Sequence, residues 1–445
     1  MVAAIEADYV VVGAGAMGMA FVDEILTHSD ASVAIVDQHA KPGGHWNDAY
    51  PFVRLHQPSF FYGVSSAELG GDRIDEVGLN AGLSELASGA EVTAYFDQVM
   101  HRRFLPSGRV EYLPRATYRD GAARVAPANL TVSVTARRAV VDATYMKVKV
   151  PSTTPPAYAV ESDANVIPPN QLPTTEWPAG GFNVIGAGKT AFDAILWLLA
   201  NRVDPSDIQW VVPRDSWLLN RSIIQPGDGL RIGEQTGFAA EAGSADELFE
   251  RLEAEGHFLR IDRAVEPTMY RCATVTEAEL EQLRRIERVE RGSRVVRVTA
   301  STVELTDGAL TCRPGTVHVD CTADGLERLP ARPVFEDGRI TLQTVRACQQ
   351  VFSAGFIGRV ETLEDTSLDI KNELATVVPH PDAPVDYLTG TLAQIHNVGR
   401  WMARPEIADW LEDSRLSPTG GRAPDLAVAI QAVENLTRFV DEATV

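Results

Sequence analysis

The stretch DYVVVGAGAMG, residues 8–18, decides the fold. Its apolar run, Asp8 to Val12, reads as a strand and ends on Gly13-Ala14-Gly15-Ala16-Met17-Gly18, the spacing G-x-G-x-x-G. From about Met17 to Thr27 the chain reads as a helix, and ASVAIVD, closing on Asp37, as a second strand. Strand, glycine turn, helix, strand and acidic residue in that order make the full dinucleotide fingerprint. Gly13 permits the tight turn, Gly15 lets backbone approach a pyrophosphate, and Gly18 lets the helix pack close to the strand. The helix start, with Ala16 and Met17, offers free N–H groups and the positive end of the helix dipole to phosphate. Asp37 is placed to accept hydrogen bonds from a ribose, and the adjoining Gln38 is grouped with it as a cofactor-binding candidate.

A second unit follows at FNVIGAGKTAFDAILWLLAN, residues 182–201. Its Gly-Lys-Thr suggests an ATP loop, but G-x-x-x-x-G-K-[ST] needs a glycine where Asn183 stands. Phe182 to Ile185 read as a strand, Gly186-Ala187-Gly188-Lys189-Thr190-Ala191 as G-x-G-x-x-A, and the rest as a helix. Alanine is accepted at the third position, so this is a second dinucleotide turn. The next strand, DIQWVV, is followed not by an acid but by Arg214. Arginine suits a 2′-phosphate where an acid suits a free ribose hydroxyl, so the second unit is expected to bind NADPH. Lys189 and Thr190 open its helix and are candidate phosphate contacts, with Arg221 a further one.

Composition sets the limits. The chain has 445 residues, 45% of them apolar and 23% charged, as expected of two or three globular domains. Forty basic residues against 61 acidic ones leave a net charge of −21, which disfavours nucleic acid and anionic lipid as partners. No apolar run is long enough to suggest a membrane span, and the N-terminal apolar stretch runs into the glycine turn, which marks it as strand. Four cysteines, Cys272, Cys312, Cys321 and Cys348, are scattered without a C-x-x-C pair. They suit a reducing cytoplasm and supply neither a metal site nor an evident redox disulfide.

After Asp37 comes QHAKPGGHWNDAYPFVRLHQPSFFYGVSS, residues 38–66. Gly43, Gly44 and Trp46 form G-G-x-W, and Tyr50, Pro51, Arg54, Ser59 and Tyr62 an aromatic-Pro…Arg…Ser…Tyr run. This segment resembles the class B flavin monooxygenases, the flavin-containing and Baeyer–Villiger group. The resemblance implies FAD on the first unit, with Gly43, Gly44, Trp46 and Ser59 near it. It also implies Arg54, His56 and Gln57 along the isoalloxazine as candidate catalytic residues; Phe60 and Phe61 read as core. It further implies an α/β fold of two Rossmann-like domains, the NADPH domain inserted into the FAD domain. The expected divisions are 1–165, an FAD-binding part whose β meander covers residues 124–150; 166–310, the NADPH-binding part with a helical elaboration at 226–290; and 311–445, the returning FAD part. Residues 151–178 read as a connector. The segment TLQTVRACQQVFSAGFIGRVE is expected at the active site, and a C-terminal helix is expected to bury Leu426, Ile430, Val433 and Val440.

The activity so implied is NADPH-dependent oxygenation of a small organic substrate with O2, through a flavin C4a-hydroperoxide. One family motif is missing. F-x-G-x-x-x-H-x-x-x-W should precede the second glycine turn, where this chain has PPNQLPTTEWPAGG. A flavin dehydrogenase or reductase that does not activate oxygen is the alternative, and a redox-sensing protein a further one. A thioredoxin-reductase type of enzyme would need a cysteine pair beside the flavin, which the sequence does not announce.

Overall fold

The computed structural model describes residues 4–126, 128–227, 230–417 and 424–443. Among the described residues are two mainly parallel sheets, each with a glycine turn at the carboxyl end of a central strand. In the first, β1 (Ala4–Val12) passes through the turn into α1 (Ala16–His28), and β2 (Val33–Val36) follows. Every residue of β2 is buried, as befits a parallel strand covered on both faces. Next, α2 (Gly89–Val99) opens on a capping box exchanged between Ser88 and Glu91. Four strands complete this half: β3 (Val110–Leu113), β4 (Ala116–Arg119), β5 (Ala122–Val125) and β6 (Leu130–Asp142).

Strands β3, β2, β1 and β6 lie side by side and parallel, while β4, β5 and β6 form an antiparallel meander. Between β3 and β4 the chain turns at Arg115, whose φ is +53°. The meander ends at Asp142, short of the expected residue 150. There the Asp142 carboxylate accepts hydrogen bonds from the Thr144 N–H and hydroxyl, which turns the chain out of the sheet.

The connector contributes two short strands, β7 (Ala159–Val160) and β8 (Val166–Ile167). Then β9 (Phe182–Ile185), α3 (Lys189–Ala200) and β10 (Ile208–Val212) repeat the first unit. β11 (Ser216–Asn220) comes next, and the elaboration, of which residues 228 and 229 lie outside the described ones, holds α4 (Glu234–Glu241), α5 (Ala245–Ala254), β12 (Phe258–Leu259), β13 (Met269–Val275) and α6 (Glu277–Leu283). It ends in β14 (Arg288–Arg291), followed by β15 (Val295–Val298), β16 (Thr302–Leu305), β17 (Gly308–Thr311) and β18 (Val317–Asp320). The second parallel sheet runs β14-β10-β9-β18-β8. Residues 317–320, expected in the returning part, therefore belong to this sheet.

The chain rejoins the first sheet through β19 (Phe335–Glu336) and β20 (Arg339–Thr341), the latter parallel to β6. Five helices close the molecule: α7 (Gln350–Glu361), which packs on α1, α8 (Leu368–Leu374), α9 (Pro384–Met402), α10 (Pro405–Asp413) and α11 (Leu426–Ala443). The face buried by α11 is Ala432, Leu436 and Phe439, while Leu426 and Ile430 are exposed. This corrects the expected stripe. Asn435, on the buried side, donates to the carbonyls of Ala239, Ala240 and Ala242 at the end of α4, and that contact fixes the helix's rotation. Among the described residues no helix is long and apolar enough to cross a membrane.

Candidate functional site

In each sheet the strand order reverses at the glycine turn, since β1 lies between β2 and β6, and β9 between β10 and β18. The crevice outside the strand ends at such a point is where doubly wound sheets take ligands. At the first turn a Cβ on Gly18 would fall 2.0 Å from the Gly13 carbonyl oxygen, so only glycine permits the close helix–strand approach. Gly15 caps α1 with no side chain over the helix end, and Ala16 and Met17 begin its first turn. The Gly43-Gly44 pair lies against it: the Gly43 N–H donates to the Ala14 carbonyl at 2.8 Å, and a Cβ on Gly44 would sit 2.9 Å from Gly15 Cα.

Asp37 is buried and accepts from the Ala14 and His39 N–H groups, both at 2.6 Å. Hydrogen bonds from the His39 ring to Asp37 and Asp48 raise that imidazole to about 9. Asp37 thus braces the turn directly, and Gln38 beside it is exposed. The Trp46 indole donates to the Tyr62 hydroxyl at 2.7 Å. Buried Ser59 donates to the Glu85 carbonyl and accepts from the Ala87 N–H, so its hydroxyl holds a loop. Arg54 is exposed and donates to the Leu86 carbonyl; it does not line the cavity that His56 and Gln57 line.

At the second turn Gly186 has φ +133° and Gly188 caps α3 without a side-chain cap. Lys189 and Thr190 are half-buried at the helix start, with Lys189 paired to Asp193. Tyr50 donates to the same Asp193 at 2.7 Å, and Phe52 stacks on Trp197 at 5.2 Å. The Tyr-Pro-Phe segment from the first half therefore seats on α3 and carries His56 and Gln57 to the space between the two halves. Arg214 lies two residues beyond β10, but its guanidinium forks onto Asp382 at 3.0 and 2.7 Å. That pairing holds the Asp382 carboxyl below its ordinary range. Arg221 is wholly buried and committed to the His56 carbonyl, Asn80 and Glu279.

A cavity of about 420 Å³ opens beside His56 and Gln57. Its other walls come from β13 and α4 in the elaboration and from residues 346–350, 378–381 and α9 in the returning part. The segment expected at the active site does line it, through Arg346 to Gln350. Burial, with the charges of Lys189 and Arg221 nearby, lowers His56 to about 3, so its imidazole is neutral, and its Nδ1 has no partner among the described residues.

Two further features of the wall had no sequence signal. Cys272 in β13 and Cys348 before α7 form a disulfide across it, with Cα atoms 6.4 Å apart and a sequence separation of 76. This corrects the expectation of no redox-relevant pair; cysteines so far apart give no spacing to read. The second feature is Arg346, buried in the same wall.

No protein-family model matches the chain. The uncharacterized protein Rv2000 of Mycobacterium tuberculosis is 47% identical over 431 residues, spanning 95% of this chain and 80% of that protein. The chain belongs to its family. Mb2023 of Mycobacterium bovis, also uncharacterized, matches to the same extent. Among solved structures the chain is similar to an oxidized steroid monooxygenase bound to NADP, at 15% identity and a TM-score of 0.49, over 99% of this chain and 98% of that one. It is also similar to a flavin-containing monooxygenase from Stenotrophomonas maltophilia, at 16% identity and a TM-score of 0.46, over 80% of this chain and 97% of that one.

In this member of the family the site comprises two helix N-termini behind glycine turns, suited to two phosphate-bearing ligands, and one cavity lined by His56 and Gln57. The cavity holds neutral imidazoles, a buried guanidinium and a disulfide. Hydrogen bonding, anion binding and two-electron thiol chemistry are all open to it.

Proposed function

We propose that the chain is an NADPH-dependent FAD oxidoreductase, acting in the cytoplasm as a monooxygenase on a small organic substrate with O2. The observation that carries the reading is the pair of glycine turns, bridged by residues 50–57 to one cavity. The first turn fits FAD: Gly13, Gly15, Ala16, Met17 and Gly18 would hold its pyrophosphate, Asp37 and Gln38 its ribose, and Gly43, Gly44, Trp46 and Ser59 its flanks. The second fits NADPH through Gly186, Gly188, Lys189 and Thr190, with Arg214 exchanging Asp382 for the 2′-phosphate. Bound FAD would supply hydride acceptance and oxygen activation. The chain's own part is to position and to exclude water. Neutral His56 can hold a substrate or nicotinamide amide by hydrogen bonding, with Gln57 beside it, and Leu219, Ile224 and Ile232 in the wall would help to exclude water.

A second reading, a reductase that does not activate oxygen, is favoured by the Cys272–Cys348 disulfide. In a reducing compartment such a pair is typically catalytic or redox-sensing. It would take two electrons and two protons and become two thiols. The test is to reduce the purified protein anaerobically with NADPH, count thiols, and then admit air. A transient flavin band unlike the oxidised or reduced form supports the monooxygenase. Direct reoxidation, with two thiols released per chain, supports the reductase. Protein that carries no flavin overturns both.

A further inference from the structure

We propose that the cavity takes its small-molecule ligand by an anionic group, a carboxylate, docked on the guanidinium of Arg346. This names a substrate class for the oxidoreductase reading and rests on that reading only in calling the ligand a substrate. Arg346 is 4% exposed and belongs to the cavity wall. Its guanidinium lies over the rings of Phe352 and Trp401, with Cζ 4.0 and 5.3 Å from their centroids. Rings packed on the face of a guanidinium leave its N–H donors, which lie in the plane, still in need of acceptors. Among the described residues Nη1 makes one long contact, 3.4 Å to the Ser417 hydroxyl, and Nε has no partner.

Among the described residues no opposite charge balances this cation, and burial alone lowers its pKa to about 9. The other charged wall residues are matched: Arg271 pairs with Asp324 at 2.7 Å and Asp382 at 3.5 Å, and Asp386 with Arg328 at 2.6 Å. Burial leaves His56 and His380 neutral, at about 3 and 4. Arg346 is therefore the unpaired charge of the wall among the described residues. A purely structural role as a stacking partner would explain the rings but not the unmet donors, which a methionine at this position would not have. A buried cation is costly without an anion, and a ligand carboxylate supplies one in the forked geometry that arginine favours. Gln349 Oε1 and His380 Nδ1, also in the wall and without partners among the described residues, are further polar contacts for such a ligand. Tyr270 and Tyr387 offer aromatic wall to its apolar body.

The test measures binding of 3-phenylpropionate and its primary amide to the purified full chain by calorimetry. The acid is expected to bind at least about tenfold more tightly than the amide. Arg346→Met should abolish that preference, and Arg346→Lys should keep part of it. An acid that does not bind, or an amide that binds as well, overturns the proposal without recourse to any variant. So does inorganic phosphate binding as tightly as the acid, which would make the site a general anion hole. If Arg346→Met strips flavin from the protein yet keeps the acid preference, the guanidinium serves the cofactor and the proposal fails. Wild-type protein without flavin would end the oxidoreductase reading, while an Arg346-dependent acid preference would still stand.

Discussion

Among single residues, the buried histidines tie stability to pH. Burial lowers His318, in β18, to about 4. An unfolded imidazole titrates near pH 6.5, so the folded ring resists protonation. Its contribution is complete above about pH 6.5 and is lost as pH falls toward 4. Between those limits each step of one in pH costs about 1.4 kcal/mol, so acidification from pH 7 to 4.5 should cost about 2 kcal/mol through this ring alone. Urea unfolding at the two pH values should show a drop smaller by that amount in His318→Leu; an equal drop would contradict the assignment. Residue-level chemistry was legible where it depended on near neighbours, as in Asp37 closing a strand. It was hidden where distant chain decides it. Nothing beside Arg214 in sequence points to Asp382, and nothing around Arg346 says that it will meet no carboxylate among the described residues.

For the elements, the two glycine turns make opposite predictions about the same substitution. A methyl on Gly18 collides with the Gly13 carbonyl, whereas one on Gly188 meets nothing within 4 Å, and Gly188 has φ −99°. Gly18→Ala should destabilise the protein by about 2 kcal/mol or more, and Gly188→Ala by less than about 0.5 kcal/mol. Gly188→Ala should nonetheless weaken NADPH, because in the proposed site the space it fills would be the ligand's. Thermal unfolding and NADPH titration of both variants test this; a Gly188→Ala protein with unchanged affinity would put the nucleotide elsewhere. Strand, turn and helix were readable at both sites because their determinants lie close together along the chain. The face of α11 was not. Its sequence carries apolar residues at two phases, and the choice is made by α4 through Asn435.

Across the whole molecule, the cavity exists because three separated stretches converge, and the Cys272–Cys348 bond ties two of them together. A loop of that length gives the bond an entropic contribution of about 4 kcal/mol. Cys272→Ser should lower the unfolding temperature and make it insensitive to dithiothreitol; an unchanged temperature would mean that the bond does not form in solution. The insertion of one parallel sheet into another followed from the resemblance to the class B flavin monooxygenases that residues 38–66 carry. The cavity's walls did not, since periodicity and spacing carry no information about which distant surfaces meet. The central claim is that the two glycine turns hold two different nucleotides that exchange a hydride. Anaerobic titration of the purified protein with NADPH, followed in the visible flavin band, tests it most directly. The account predicts one FAD per chain, bleached by one equivalent of NADPH; protein without flavin, or flavin that NADPH leaves oxidised, would contradict it.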